Sequence, residues 1–215
     1  MDRRTAALAS CRRLRGLGAG TGALPDRPDR VTEHNGVVWT LDASDGELLV
    51  HTGVTGRAAR MGHRLTIAMR QWHSTVTWAG DEPAAAELAV DVNSLDVLRG
   101  EGGVTPLSGA EKSLVRSNAL RSLGAERFPQ INFAAEDIAK SADGYRLTGP
   151  LQIRGKTRKQ VIDLGTTDLG ESWQMSARVT VRQSDFGVKP YSLLMGSLKV
   201  ADEVTVSFAA HHAKG

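Results

Sequence analysis

The 215-residue sequence lacks several features that would place it in a structural class at once. It has a single cysteine, so no disulfide bond can form within the chain, which suits a reducing compartment. No run of 18 apolar residues occurs, which excludes a membrane-spanning helix. Glycine follows no short repeat, which excludes a collagen-like chain. The length therefore fits one domain that is large enough to bury a core.

Outside the N-terminal segment, the sequence also lacks an excess of positive or negative charge. Residues 1–30 hold seven arginines against three aspartates, a balance of +4, and the remaining residues hold 20 basic against 21 acidic side chains. Nucleic-acid binding needs a surplus of positive charge, so we expect no nucleic-acid partner. We interpret residues 1–33 as a flexible basic leader, residues 34–210 as the folded domain and residues 211–215 as a tail.

The leader contains two patterns that would change the interpretation of the chain. Leu8-Ala9-Ser10-Cys11 resembles a lipoprotein signal, but the apolar stretch before it is shorter than the roughly 7 to 15 residues that export requires. Residues 16–23 fit G-x-G-x-x-A without the preceding strand that dinucleotide binding needs. We expect a cytoplasmic protein, with an exported lipoprotein anchored through Cys11 as the alternative.

Apolar and polar residues alternate along much of the chain after Val37, which is the period of a half-buried β-strand. Turn sequences such as Asp143-Gly144 and Gly170-Glu171-Ser172 separate the alternating runs. The pattern predicts about eight antiparallel strands, near residues 37–42, 47–53, 63–78 (one long strand or two), 86–94, 130–138, 144–153, 159–166, 174–183 and 202–210.

Strands that all present one apolar face bury it by pairing two sheets or by closing into a barrel. We therefore expect an all-β fold, an extended antiparallel barrel of about eight strands. Such a barrel is either filled by side chains or wide enough for one slender ligand. An aromatic content of 5% is low for a strand-rich core, which favours a slender apolar tunnel, and the filled barrel remains the alternative.

One segment, residues 108–124, has the signals of a helix inserted between strands. Ser108 and Glu111 form a capping-box pattern, and Gly124 stands where a left-handed residue is needed after the last turn. The expected apolar stripe consists of Ala110, Leu114, Val115, Leu120 and Leu123. We expect residues 96–107 to form a loop and the helix to cover one end of the barrel.

Three blocks of the sequence resemble one family of proteins. The blocks are LRSLGAERFPQINF (120–133), GYRLTGPLQIRGKTR (144–158), and RQSDFGVKPY (182–191) followed by LKVADEV (198–204), and Trp39-Thr40-Leu41-Asp42 resembles the opening strand. In order and spacing they resemble the YceI-like family of lipocalin-like, polyisoprenoid-binding proteins. The resemblance extends from about Val37 to Ala210.

The resemblance implies a barrel whose tunnel binds the tail of an isoprenoid quinone, a polyprenyl phosphate or another long amphiphile, commonly in a homodimer. It implies binding rather than catalysis, and no cofactor beyond such a bound lipid or quinone. The residues expected to line the tunnel are the inward members of the alternating runs: Leu65, Ile67, Met69, Val76, Trp78, Leu88, Val90, Phe133, Leu151, Ile153, Val179, Val181, Val206 and Phe208.

Basic residues next to the strands are candidates for contact with a polar head group. Arg57, Arg60 and His63 precede the strand that contains Leu65, and they form the first candidate set. Arg182 and Lys189 flank a turn and form the second. The alternative for both sets is that they are solvated loop charges.

Catalytic and metal-binding functions have weaker support in the sequence. His51, His63 and His73 are too widely spaced for a compact zinc-ligand pair, so we expect no metal. Asp185-Phe186-Gly187 lacks the accompanying motifs of a kinase. The alternatives to a carrier are a barrel enzyme that uses His63 or Asp185 as a general acid or base, and a ligand-free dimeric interaction module.

Overall fold

The computed structural model describes residues 37–214, with the side chain of Leu194 excepted. The proposed leader at residues 1–33 lies outside the described residues. Those residues contain one antiparallel sheet of thirteen strands and one α-helix. The strands are β1 (Val38–Asp42), β2 (Gly46–Thr55), β3 (His63–Met69), β4 (Trp72–Ala79), β5 (Glu82–Asp91), β6 (Leu95–Gly102), β7 (Gln130–Ala135), β8 (Asp137–Ser141), β9 (Gly144–Ile153), β10 (Lys156–Asp168), β11 (Ser172–Arg182), β12 (Ser192–Leu193) and β13 (Leu198–Ala213), and the helix is α1 (Gly109–Leu123).

The sheet closes into a barrel because two pairs of consecutive strands act as single bent strands. β1 and β2 both pair antiparallel with the continuous segment formed by β3 and β4. From β4 the pairing runs through β5, β7, β9, β10, β11 and β13, and β13 pairs with β2. Counting β1–β2 and β3–β4 as one strand each gives a ring of eight, so the predicted antiparallel barrel is confirmed, although the sheet contains thirteen strands where about eight were expected.

Apolar residues alternate along each strand, and each one pairs across the ladder with residues that lie on the same face of the sheet. Phe208 on β13 pairs with Ala177 on one side and Leu48 on the other, so one apolar face continues from strand to strand. The glycine at position 149 is required where β9 passes β7, because a Cβ there would lie 1.8 Å from the carbonyl oxygen of Ala134.

The helix begins and ends where the sequence predicts. The Ser108 side chain accepts a hydrogen bond from the backbone of Glu111, the Glu111 carboxylate accepts one from the backbone of Ser108, and Gly124 is left-handed. Val115, Ala119, Leu120 and Leu123 pack against the barrel core. Leu114 is 61% exposed and Ala110 is exposed as well, so the place of both in the expected apolar stripe was wrong.

Two further expectations about the chain path are corrected by the structure. Residues 95–102 form β6, although most of them were expected to belong to a loop. β6 continues the direction of β5 and pairs with β3, while its other edge faces α1. β13 extends to Ala213, so residues 211–213 belong to the barrel wall and not to a tail.

Candidate ligand-binding site

The residues expected to line a tunnel lie on the inner face of the barrel. Most of them belong to two apolar clusters, one centred on β3, β5 and β6 and the other on β7, β9 and β11. Val76 pairs with Trp39, which packs against the first cluster, and Trp78 contacts Trp39. The ladder therefore brings all fourteen predicted residues to one continuous surface.

Burial along this surface divides it into packed and open parts. Val90 is 3% exposed, and Phe133 and Val181 are also buried. Leu88 and Val206 face the same interior but remain half-buried, and both pack against the two clusters. Half-buried apolar side chains inside a closed ring leave apolar area that a ligand tail is able to cover.

The few aromatic residues of the chain are concentrated inside the barrel. Trp72 meets Phe208 edge to face, with ring centroids 5.4 Å apart. At one end of the barrel Trp39 contacts Trp78 and His212 at centroid distances of 4.5 and 4.4 Å. His212 pairs across the ladder with Trp173. We call Trp39, Trp78, Trp173 and His212 the aromatic end, a feature that low aromatic content alone did not predict.

Two of these indole rings carry buried donors without an acceptor. The Nε1 atoms of Trp72 and Trp78 are both inaccessible to solvent, and neither has a hydrogen-bond partner among residues 37–214. Leaving a buried donor unpaired costs about 1–3 kcal/mol, so an acceptor inside the barrel would be favoured at these positions. These donors could not be predicted from the sequence, because alternation places a residue on a face of the sheet but does not place its polar atoms.

The first set of head-group candidates lies at the opposite end, around the short 3₁₀ turn Ala59–Met61. Arg57 and Arg60 are exposed there. His63 begins β3, and its Nε2 donates a hydrogen bond to the carbonyl oxygen of Thr105 at 2.8 Å. The three residues are close in sequence at this rim, but the imidazole is already engaged with the loop before α1.

Arg182, in the second set, lies on the outer face next to the inward Val181. Its guanidinium forms an ion pair with Glu203 at 2.9 Å, and this hydrogen bond raises the pKa of Arg182. Lys189 is exposed beyond the 3₁₀ turn Gln183–Phe186. The structure thus separates Arg182 from the barrel interior.

The barrel wall is incomplete between β10 and β11. Only Leu164–Asp168 of β10 pairs with β11, at Trp173–Ala177. On the N-terminal side of Leu164, β10 is separated from β11. Phe186, which is buried, belongs to the same apolar cluster as Val181, against which Ile162 and Val179 also pack. An adjoining surface cavity of about 350 Å³ is lined partly by Arg158, Gln160 and Phe186. Phe186 therefore forms part of the barrel wall.

The groups considered for catalysis are not assembled into one centre. His63 lies at the start of β3, whereas Asp185 is exposed in the turn after β11. Within residues 37–214 no three histidine, cysteine or acidic side chains are grouped closely enough to hold a metal ion. No helix in the same part of the chain is long and apolar enough to cross a membrane.

Comparisons with known proteins agree on the fold. Residues 39–212 match the family model described as YceI-like domain. The crystal structure of Burkholderia cenocepacia BcnA is similar with a TM-score of 0.61 and 18% identity, covering 80% of this chain and 99% of BcnA. The Campylobacter jejuni YCEI protein is similar with a TM-score of 0.51 and 15% identity, covering 69% of this chain and 84% of its own. A search of curated proteins finds no match.

Proposed function

The chain belongs to the YceI-like family, and from this premise we propose that its barrel binds the tail of a long-chain isoprenoid amphiphile without catalysing a reaction on it. The observation that carries the proposal is the continuous inner face, on which Leu88 and Val206 remain half-buried between two packed clusters. Each methylene removed from water contributes about 0.8 kcal/mol, so a few isoprene units offset the cost of association.

The proposed ligand also carries a hydrogen-bond acceptor near the aromatic end. The buried Nε1 donor of Trp78 supports this orientation, because a quinone carbonyl or a hydroxyl oxygen would pair with it. The Trp72 donor lies at the other end of β4 and offers a second, separate position for an acceptor. A quinone or a prenyl alcohol fits these neutral donors better than a phosphate, whose charge would be costly to bury. The exposed Arg57 and Arg60 would then face solvent or another partner at the opposite rim.

Binding without catalysis is favoured by the surroundings of the candidate acid–base groups. The Nε2 atom of His63 is occupied by the Thr105 carbonyl, and Asp185 is exposed to water outside the apolar interior, so neither group is placed to act on a tail bound there.

Mass spectrometry of lipids extracted from the purified protein tests the proposal directly. We expect a co-purifying isoprenoid, and we expect affinity for prenyl quinones to rise with each added isoprene unit until the tunnel is full.

Val206→Trp should weaken binding of the longest tails by occupying the half-buried part of the interior. Affinity that is independent of tail length would contradict binding in the tunnel, and turnover of the ligand would establish the enzyme instead.

The variant Val90→Trp serves as a matched control for packing. Val90 is 3% exposed, so a larger ring there overpacks a filled region and should cost about 1–3 kcal/mol of stability. Comparing the two variants separates loss of tunnel volume from loss of fold. Equal losses of stability and affinity in both would indicate a barrel that is already filled.

A further inference from the structure

Two short segments meet at the rim where β2 ends and β13 begins. Residues 56–62 contain the turn Ala59–Met61, and residues 187–201 contain β12 and the start of β13. The backbone N–H of Ala58 donates to the carbonyl oxygen of Ser197 at 2.9 Å, and Lys199 pairs with Thr55 across the ladder. The two segments therefore present one surface.

This surface exposes large apolar side chains, which we call the rim patch: Met61, Tyr191, Leu193 and Met195. Met195 is fully exposed, and its backbone is left-handed with φ of 50°. A left-handed conformation is unfavourable for a residue with a side chain, and exposure of that apolar side chain to water is unfavourable as well. The strained backbone and the exposed side chain of Met195 together indicate that this residue functions by contacting an apolar surface outside the protein.

The charges within the two segments that carry the rim patch have one sign. Residues 56–62 and 187–201 contain Arg57, Arg60, Lys189 and Lys199, all exposed, and no acidic residue. The acidic groups that follow the second segment have other partners, since Glu203 pairs with Arg182 and Asp202 accepts from Ser184, and Asp185, which precedes it, is exposed. Apolar side chains ringed by cations match the interface of an anionic bilayer.

We propose that the rim patch docks on the surface of an anionic lipid bilayer. Met195 and its apolar neighbours enter the boundary between head groups and acyl chains, while the four cations face the lipid phosphates. Each cation close to an anionic surface contributes about a fivefold increase in partitioning, and salt weakens this contribution. The proposal stands on the rim residues alone, and together with the proposed function it places the barrel beside a source of long-chain amphiphiles.

Flotation of the full chain with two kinds of vesicle tests the proposal, one made of phosphatidylcholine and one with about a third phosphatidylglycerol. We expect Met195→Ser to lower partitioning onto the anionic vesicles at least severalfold. Leu169→Ser is the matched control, because Leu169 is also an exposed apolar residue but lies in the turn after β10, at the opposite end of the barrel. All variants carry the same arginine-rich N-terminal segment, so any contribution from that segment cancels in the comparison.

The electrostatic part of docking is tested by a second pair of variants. Arg60→Ala should lower partitioning at low salt, whereas Arg178→Ala, which removes an exposed cation from β11, should not. Unchanged partitioning of Met195→Ser and Arg60→Ala relative to their controls would overturn the proposal, as would self-association through the rim patch in place of vesicle binding.

The isoprenoid content of the same preparations separates this proposal from the proposed function. A wild-type chain that holds an isoprenoid, but whose partitioning does not depend on Met195, retains the carrier function and loses the docking surface. A chain that docks through Met195 but co-purifies without isoprenoid retains the docking surface and loses the carrier function.

Discussion

Among residues 37–214, the indole donors of Trp72 and Trp78 are buried inside the barrel without a hydrogen-bond partner. Trp72 is 4% exposed and meets Phe208, so its ring is well packed while its Nε1 has no acceptor within the described residues. A packed ring with an unpaired donor is a stability cost that a ligand acceptor would remove. We therefore expect the protein to prefer, among ligands whose tails have the same length, those that carry a hydrogen-bond acceptor.

Replacing Trp72 by Phe removes the donor and keeps an aromatic ring. We predict that the variant loses preference for a prenyl quinone over an acyclic hydrocarbon of equal length, by about tenfold, the effect of one hydrogen bond. The ratio of the two affinities, measured by competition, is the quantity to follow, because the smaller ring perturbs packing for both ligands alike. An unchanged ratio would show that Trp72 does not contact the ligand.

The helix acts as a wall for an edge that the barrel leaves unpaired. β6 pairs with β3 on one side only, and on the other side Lys112 donates to the carbonyl oxygen of Leu98 at 2.6 Å. Arg116 donates to the carbonyl oxygens of Leu95 and Asn93 at 2.8 and 2.6 Å. The side chains of α1 thus satisfy strand carbonyls that would otherwise form an open sheet edge.

The two leucines on opposite faces of this helix provide a test. Leu120 packs against the core, so Leu120→Asp should lower the unfolding free energy by several kcal/mol, since it buries a charge without a partner. Leu114→Asp should change it by less than about 0.5 kcal/mol, because Leu114 is exposed. Urea denaturation of both variants measures the difference, and similar losses in the two would reverse the assignment of faces.

The limits of sequence reasoning are clearest at the same elements. The capping box and the left-handed Gly124 are local features, and both were predicted correctly. β6 was missed because Gly100 and Gly102 interrupt its alternation, and its stability comes from β3 and α1 rather than from local pattern. Leu114 was misassigned because spacing in a short stripe does not fix which side of a helix meets the barrel.

The surface of the barrel as a whole carries several separate carboxylates that accept hydrogen bonds from nearby side chains. A hydrogen bond from Lys140 lowers the pKa of Glu82, and one from Arg146 lowers the pKa of Asp163. At the helix start, hydrogen bonds from Ser108 lower the pKa of Glu111. Carboxyls with depressed pKa values in the folded state stabilise the fold above their ordinary pKa and lose that contribution as the pH falls.

We therefore predict a melting temperature that is nearly constant from pH 7 to pH 5 and declines below about pH 4, the ordinary carboxyl range. Lys140→Met should make the decline shallower, because Glu82 loses the partner that lowers its pKa. Calorimetry across this range, with Arg178→Met as a control for loss of an exposed cation, measures the effect. A decline of equal steepness in Lys140→Met and wild type would contradict the assignment.

The sequence identified the inner face of the molecule more fully than its ends. Alternation assigns Val181 and Phe208 to the interior without knowledge of their partners, because a strand has only two faces. The aromatic end was not predicted, since it is assembled from Trp39, Trp78 and His212, which are remote in sequence. His212 was assigned to a tail for the same reason, as its contacts are made only across the closed ring.

The closing of the ring by β13 and β2 also determines when the protein acquires an interior. His51 and Ser207, joined by a hydrogen bond across this closure, are separated by 156 positions in the chain. During synthesis every strand before β13 leaves the ribosome with one apolar face open to water, and contacts of such long range form slowly. The nascent chain has no closed interior until β13 is synthesised, so binding of the proposed ligand would follow translation, and the exposed faces need protection from aggregation until then.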